Sequence, residues 1–205
     1  MRYLELKESL KDFTVFSLQD IRAIDQGFHR RRLNEWQEKG YIRKIIKGYY
    51  IFSDLELNES RLFEIANRIY APSYVSLEMA LSHYHLIPEG VYGITSVTTR
   101  KTYRFRTEVA EFFYRTLKPA LFFGFEIVGY DGKTFKMATF EKAILDFLYL
   151  TPHLKAEEDF LSLRLDKDTF FEQVSEEKMN GCLERFASEA LARRARALWR
   201  FMENA

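Results

Sequence analysis

The side chains best suited to chemistry in this sequence are the cations and amides of one short stretch, "HRRRLNEWQEKGYIRKIIKG". Between His29 and Gly48 seven basic residues stand against two acidic ones, although the whole chain has a formal net charge of only +1. Charge concentrated in this way predicts a local contact with a polyanion, because phosphates bind guanidinium and ammonium groups regardless of sequence. The basic residues are Arg30, Arg31, Arg32, Lys39, Arg43, Lys44 and Lys47.

The types of these side chains predict separate roles on duplex DNA. Arginine and asparagine form bidentate hydrogen bonds with guanine and adenine edges, so we expect base contacts from Arg30, Arg31 and Asn34. The cations of the following β-forming run would contact phosphates, which positions a protein but carries no sequence information. A solvated arginine-rich helix face remains an alternative. The predicted DNA-binding set is Arg30, Arg31, Arg32, Asn34, Arg43, Lys44 and Lys47.

Other reactive residues give weaker indications. His83 and His85 have a spacing that suits a metal on a strand, but no cysteine or third histidine lies nearby in the sequence. Cys182 is the single cysteine, which excludes an internal disulfide, and we expect it to be a small buried apolar residue. No glycine-rich phosphate loop is present. We therefore predict no metal site and no cofactor.

Two sets of charged residues could be taken for catalytic groups. Glu126, Asp131 and Lys133 resemble the carboxylate–lysine set of a nuclease only loosely, because their spacing lacks the strand alternation expected around one metal. Lys142 and Asp146 are four residues apart and fit a helical ion pair and surface charge at least as well. We predict no catalytic residue and no enzyme activity, with a metal-dependent DNA nuclease as the alternative.

The elements that must position the basic stretch are predicted over residues 1–53. Ser17 followed by Asp20 is a capping signature for the second of three helices. β-forming runs on both sides of Lys47-Gly48 predict a hairpin after the third helix. Three helices and a hairpin make a winged helix-turn-helix, whose third helix enters the major groove. That helix, over residues 28–39, is expected to turn one face inward, carrying His29, Leu33, Trp36 and Gly40.

Residues 54–205 are predicted to form a second domain, which makes the fold class α+β. The β-rich runs "ITSVTT", "YRFRT", "EFFYRTL", "LFFGFEIVGY" and "KTFKMAT" indicate a small, mainly antiparallel sheet in a mixed α/β domain with a helical C-terminus. Thr139 is the expected N-cap of the next helix. The last helix is expected to bury Ala187, Leu191, Ala195, Leu198 and Met202 and to present Arg185, Arg193, Arg196 and Arg200 on its other side.

The arginines of the last helix have two interpretations. A solvated face interleaved with Glu189 is the simpler one. A contact with an acidic partner or with nucleic acid is the other, carried by Arg193, Arg196 and Arg200. A neighbouring stretch has the opposite charge: between Lys155 and Lys178 eight acids stand against four bases.

The composition is that of a core-forming protein, with 47% hydrophobic and 30% charged residues. The N-terminal stretch "MRYLELKESLKDF" lacks the apolar run of a signal peptide. No run of eighteen apolar residues exists that could cross a bilayer. These features predict a cytoplasmic protein without membrane contact.

The run "YVSLEMALSHYHLIPEGVYGITSVTTRKTYRF" resembles the middle of AbiEi-type antitoxins, the transcriptional regulators of viral-defence (abortive infection) loci. The segments "LNEWQEKGYIRKIIKGYYIF", "FFYRTLKPALFFGFE" and "MATFEKAILDFLYL" extend the likeness over residues 15–150. One departure is "ATFEKA", where the family would have proline after the threonine. Proline is merely favoured in a helix's first turn, so the departure matters little.

The resemblance implies a bipartite antitoxin. Its winged helix would bind repeats in its own promoter, with self-association on those repeats, and its second domain would counteract a cognate nucleotidyltransferase toxin. The residues by themselves indicate only a DNA-binding module joined to an α/β domain. An adaptor whose winged helix docks a protein partner is the competing interpretation.

Overall fold

The computed structural model describes residues 1–88, 90 and 92–204 as an α+β protein, which confirms the α+β part of the prediction. It contains a small antiparallel sheet near the N-terminus and a larger mixed sheet after it. Within these residues, no helix combines the length and the apolar character needed to cross a membrane.

The first six elements enclose a core of their own. They are α1 (Tyr3–Ser9), β1 (Phe16–Ser17), α2 (Leu18–Ile24), α3 (Arg31–Glu38), β2 (Ile42–Ile46) and β3 (Tyr49–Phe52). The three strands pair antiparallel in the order β1–β3–β2, and α3 packs against β2. We call the buried cluster between these elements the N-terminal core; it comprises Leu6, Leu10, Phe16, Ile21, Phe28, Leu33, Trp36, Ile42, Tyr50 and Phe52.

The predicted cap of α2 is confirmed: the Ser17 hydroxyl accepts from the backbone N–H of Asp20, whose carboxylate reaches back to the Ser17 backbone N–H. The predicted inward face of α3 is wrong at both ends. Phe28 is buried and His29 is exposed because the helix begins only at Arg31, and Gly40 is exposed beyond the end of the helix at Glu38. Residues before that point do not follow the helical period.

Gly40 ends α3, as its position in the sequence predicts. Its φ of +70° lies in the left-handed region, where a side chain would be strained. The N–H groups of Gly40 and Tyr41 donate to the carbonyls of Gln37 and Trp36, both at 2.9 Å. This pair of bonds is the Schellman arrangement, which satisfies carbonyls that the helix end would otherwise leave without partners.

The second set of elements builds the larger sheet and the helices around it. The sheet is six-stranded in the order β6–β7–β5–β4–β9–β8, with a 3-10 turn (Pro119–Leu121) before β8. The elements are α4 (Glu59–Ile69), β4 (Ser73–Val75), α5 (Glu78–His83), β5 (Ile94–Thr98), β6 (Tyr103–Arg106), β7 (Glu111–Thr116), β8 (Phe125–Tyr130), β9 (Lys133–Ala138), α6 (Phe140–Leu150), α7 (Glu157–Leu161), α8 (Lys167–Gln173), α9 (Glu176–Phe186) and α10 (Glu189–Asn204).

The five predicted β-rich runs are strands, and three of the five pairings in the larger sheet are antiparallel, but the sheet as a whole is mixed. β4 pairs parallel with β9, and β5 pairs parallel with β7. β4 itself was not predicted, because three residues are too few to establish an alternating pattern. β4 lies between β5 and β9, and it therefore joins the three strands β6–β7–β5 to the hairpin of β9 and β8 in one sheet.

Helices cover both faces of this sheet. Ser73 of β4 faces α4, where its hydroxyl donates to the Ala66 carbonyl at 3.4 Å. The next residue, Tyr74, points to the opposite face and donates to Asp146 of α6 at 2.9 Å. This alternation is the ordinary geometry of a strand, and it explains why all three residues of β4 are buried.

The helix predicted to carry the C-terminal arginines is interrupted. Ala187 adopts a left-handed conformation (φ 48°) between α9 and α10, so it does not line the buried side of the last helix. Leu191, Ala195, Leu198 and Met202 are buried as predicted. Arg185 belongs to α9, and its guanidinium lies 3.6 Å from the centre of the Phe123 ring.

The two cores meet along one face of the small sheet. Val15, Ile45 and Ile51 are buried in the larger core, although they belong to the N-terminal elements. Ile42 and Ile45 lie three residues apart in β2, so the alternation of a strand directs one to each core. The N-terminal unit predicted to end at residue 53 is therefore in direct apolar contact with the larger core.

An ion pair reinforces this junction. Arg68 of α4 donates to Asp20 of α2 at 2.6 Å, and the Arg68 guanidinium also lies over the Phe13 ring. Burial alone would raise the pKa of Asp20, but hydrogen bonds from Arg68 and Ser17 outweigh it and hold that pKa below its usual value.

The sign of this shift predicts acid sensitivity. A carboxyl group whose pKa is lowered by folding stabilises the protein above its unfolded pKa of about 3.9, and that stabilisation is lost as the pH falls through the folded value. We expect Asp20→Asn to flatten the fall in unfolding free energy below about pH 4. Urea denaturation over a pH series measures this. Asp12→Asn, at an exposed position, is the control, and identical pH profiles for all three proteins would contradict the prediction.

Candidate functional site

α3 is held rigidly by the two side chains it buries. Leu33 is 1% and Trp36 6% exposed. The Trp36 ring lies 5.5 Å from the Phe28 ring and 5.8 Å from the Tyr3 ring, centre to centre. Because these contacts fix the rotation of the helix, the opposite face with Asn34 is directed to solvent.

The predicted base-contacting residues lie at the start of α3 and are exposed. Arg30 is the N-cap residue, and neither its side chain nor that of Asn34 makes a hydrogen bond or ion pair within the described residues. Arg31 Nε lies 3.6 Å from Glu35 Oε1, a loose pair between exposed groups. Arg32 donates to the Met1 carbonyl and is therefore partly engaged within the protein.

The three cations of the β2–β3 hairpin differ in their exposure to solvent. Lys44 and Lys47 are exposed, and Lys47 lies in the turn before Gly48, whose φ is +94°. Arg43 is half-buried, and its Nε atom is enclosed without a hydrogen-bond partner. Of the three predicted phosphate contacts, the two lysines are thus the accessible ones.

The exposed side chains at the start of α3 and at the hairpin turn form a cationic surface. Its exposed members are guanidinium, ammonium and amide groups, which donate hydrogen bonds to phosphates and base edges. Glu35 and Glu38 also lie on the exposed side of α3. Close approach of a phosphate backbone is therefore favoured at the helix start and at the hairpin turn rather than at the end of α3.

The structure does not bring the residues of the other candidate catalytic and metal sites together. Glu126 lies in β8 and Asp131 follows its end, so roughly 16 Å of extended strand separates them. Asp131 and Gly132 both have positive φ, as a two-residue hairpin turn of type I′ requires. His83 Nδ1 lies 3.4 Å from Glu59. Among the described residues no group of three or more His, Cys, Asp or Glu is placed to hold a metal.

Lys142 and Asp146 form the predicted ion pair, but their expected place on the surface is wrong. Both side chains are 0% exposed. Asp146 also accepts from the Tyr74 hydroxyl (2.9 Å) and the Ser76 hydroxyl (3.0 Å), and Lys142 donates to the Tyr74 oxygen at 2.8 Å. The Lys142 ammonium lies 4.9 Å from the centre of the Phe123 ring. We call Lys142, Asp146, Tyr74 and Ser76 the buried network.

Burial lowers the pKa of Lys142 and raises that of Asp146, and the attraction between the two charges opposes both shifts. With Tyr74 and Ser76 also fully buried, the network has no surface open to a substrate. It acts as a link between α6 and β4. The sequence carried one signal for it: "FEKAILDFLYL" has apolar residues on all sides, which is typical of a buried helix.

Comparison with protein-family models and with curated proteins finds no match for this chain. The resemblance to AbiEi-type antitoxins therefore depends on the sequence motifs alone.

The buried network predicts an asymmetric response to substitution. Lys142→Met should lower the free energy of unfolding by about 3–5 kcal/mol, because it leaves the Asp146 carboxyl buried without its partner. The double variant Lys142→Met/Asp146→Leu should recover most of this loss. Urea denaturation measures both.

Lys11→Met is the matched control, since Lys11 pairs with Glu8 at 2.7 Å on the exposed surface. Its denaturation midpoint should stay at that of the parent protein. A double variant as unstable as Lys142→Met would show that the lost packing, and not the unpaired carboxyl, causes the effect.

Proposed function

We propose that residues 1–53 form a winged helix-turn-helix that binds duplex DNA, and that the protein represses its own promoter. The observation that carries the proposal is the exposure of Arg30, Arg31 and Asn34 at the start of a helix that Leu33 and Trp36 hold in place. Arginine and asparagine at that position of a third helix are suited to read guanine and adenine in the major groove.

The order of the N-terminal elements supports this assignment. α2 and α3 are separated by a short connection, and a two-stranded hairpin follows α3 directly. In a winged helix the hairpin lies beside the third helix, so its turn can reach a flanking phosphate. The exposed Lys44 and Lys47 supply the cations for that contact.

We further propose that the remainder of the chain counteracts a nucleotidyltransferase toxin. This half of the proposal is supported by the AbiEi-like motifs, which continue to residue 150. It requires no chemistry from this chain: a repressor acts by occupying promoter repeats, and an antitoxin can act by binding.

Useful affinity would require two copies on neighbouring sites. A single DNA-binding module buries roughly 600–1,000 Å² of surface, which is small for a specific complex. Promoter repeats spaced by about one helical turn would place two third helices on the same side of the duplex.

Binding of the chain's own upstream duplex tests the DNA half of the proposal. Fluorescence anisotropy over a salt series should give a log–log slope of about −0.9 per phosphate neutralised. The triple variant Arg30→Ala/Arg31→Ala/Lys47→Ala should bind at least about tenfold more weakly, since each bidentate base contact contributes roughly 1–3 kcal/mol.

Lys101→Ala/Lys118→Ala/Lys155→Ala is the matched control, because it removes the same number of charges from exposed positions elsewhere. It should retain the parent affinity. Salt-insensitive binding, or equal loss in both triple variants, would contradict the assignment of the interface.

Single substitutions separate the two kinds of contact. Asn34→Ala should relax specificity at one base pair of the operator, at a cost of about 1–3 kcal/mol for the preferred sequence. Lys47→Ala should weaken binding to all duplexes alike and reduce the salt slope by about 1. Competition with single-base operator variants measures both effects.

The antitoxin half is tested in cells. The neighbouring gene should encode a nucleotidyltransferase whose expression arrests growth, and co-expression of this chain should restore growth. If growth stays arrested although this chain is present and folded, the antitoxin proposal is wrong. The DNA-binding proposal is unaffected by that result.

A further inference from the structure

A groove between α9 and α10 combines three cations with an apolar floor. It encloses a cavity of about 390 Å³. The floor is formed by Met179 and Leu183 of α9 and Trp199 of α10, and the cationic wall by Arg193, Arg196 and Arg200 of α10. Glu176 and Asn180 of α9 also line the groove, so the arginines outnumber its single carboxylate by three to one. All three arginines are exposed. We call this feature the arginine groove.

The three arginines are not used to hold the fold together. Within the described residues, Arg193 and Arg200 make no hydrogen bond or ion pair, and Arg196 only pairs with the exposed Glu189 at 2.9 Å. Their neighbour Arg194 has the structural role, since it donates to the carbonyls of Leu148 and Thr151 at the end of α6. The groove arginines are therefore free to bind a ligand.

The apolar floor is rigid. The Trp199 ring is held edge-on by Phe170 and Phe171, at 5.5 and 5.9 Å between ring centres, and its Nε1 donates to Glu203 at 3.1 Å. Phe171 is itself 40% exposed, so the apolar surface continues beyond the groove. Tryptophan, methionine and arginine are the residue types enriched where proteins bind one another.

The spacing of the cations selects the occupant. Arg193, Arg196 and Arg200 follow one stripe of α10 over about 10 Å, which is two helical turns. A second helix laid along the groove can present carboxylates at matching i, i+3 and i+7 positions and apolar side chains to the floor. Guanidinium groups bind such carboxylates in a bidentate manner.

We propose that the arginine groove binds an acidic amphipathic helix of a partner protein. A second copy of this chain is a poorer occupant, because its acidic helices α7 and α8 have only five and seven residues and cannot present carboxylates from i to i+7. Duplex DNA would leave the apolar floor without a partner. The inference is independent of the DNA interface on α3.

The test titrates the full chain with a labelled helical peptide that carries Glu at i, i+3 and i+7 beside a stripe of Leu. Binding should shift the NMR signal of the Trp199 indole N–H and leave that of Trp36 in place. Arg193→Glu/Arg196→Glu/Arg200→Glu should weaken binding at least tenfold, and a peptide with Lys in place of Glu should bind this variant instead.

Lys101→Glu/Lys118→Glu/Lys155→Glu is the charge-matched control and should bind like the parent chain. An unchanged melting temperature of the groove variant shows that its fold is intact. If the melting temperature is lowered, the triple Arg→Gln variant replaces it.

Absence of peptide binding, or equal binding by the groove variant, overturns the proposal. Self-association that the groove variant abolishes would assign the groove to a second copy. DNA affinity lost in the groove variant but retained in its control would assign the groove to nucleic acid. Either result also overturns the proposal.

Discussion

The buried network is the interaction on which the rest of the larger unit depends. Lys142 and Asp146 could not be enclosed singly, because an unpaired charge in a dry interior is strongly unfavourable. Paired with each other and with Tyr74 and Ser76, they let α6 be buried on all sides. α9 and α10 pack on α6, so the arginine groove between them exists because this helix can occupy the interior.

The candidate DNA interface is fixed to the same framework. Val15, Ile45 and Ile51 pack the small sheet on the larger core, and the Asp20–Arg68 pair ties α2 to α4. The cations on α3 and on the hairpin turn therefore belong to N-terminal elements that pack directly on the second unit. A partner bound at the arginine groove and a duplex bound at α3 would be carried by one packed molecule, with separate surfaces for each.

Exposed cations occur on two different parts of the molecule, which differ in the residues that surround them. Arg30 and Lys47 are exposed in the N-terminal unit, whereas Arg193 and Arg200 border a groove with an apolar floor. The first surface is polar throughout, as suits phosphates and base edges. The second combines guanidinium groups with Trp199 and Met179, as suits a folded protein segment.

The sequence by itself determined the elements whose signals are local. The Ser17 cap, the Thr139 cap, Gly40 at the end of α3 and the five β-rich runs could all be predicted, because capping, positive φ and alternation involve only neighbouring residues. The exposed arginines of α3 belong to this group. Only the tertiary structure decided where the helix of Lys142 lies, how β4 joins the sheet between β5 and β9, and which residues line the groove beside Arg193. Those outcomes depend on residues far apart in the chain, since burial of a polar pair and the lining of a groove are set by what packs against them.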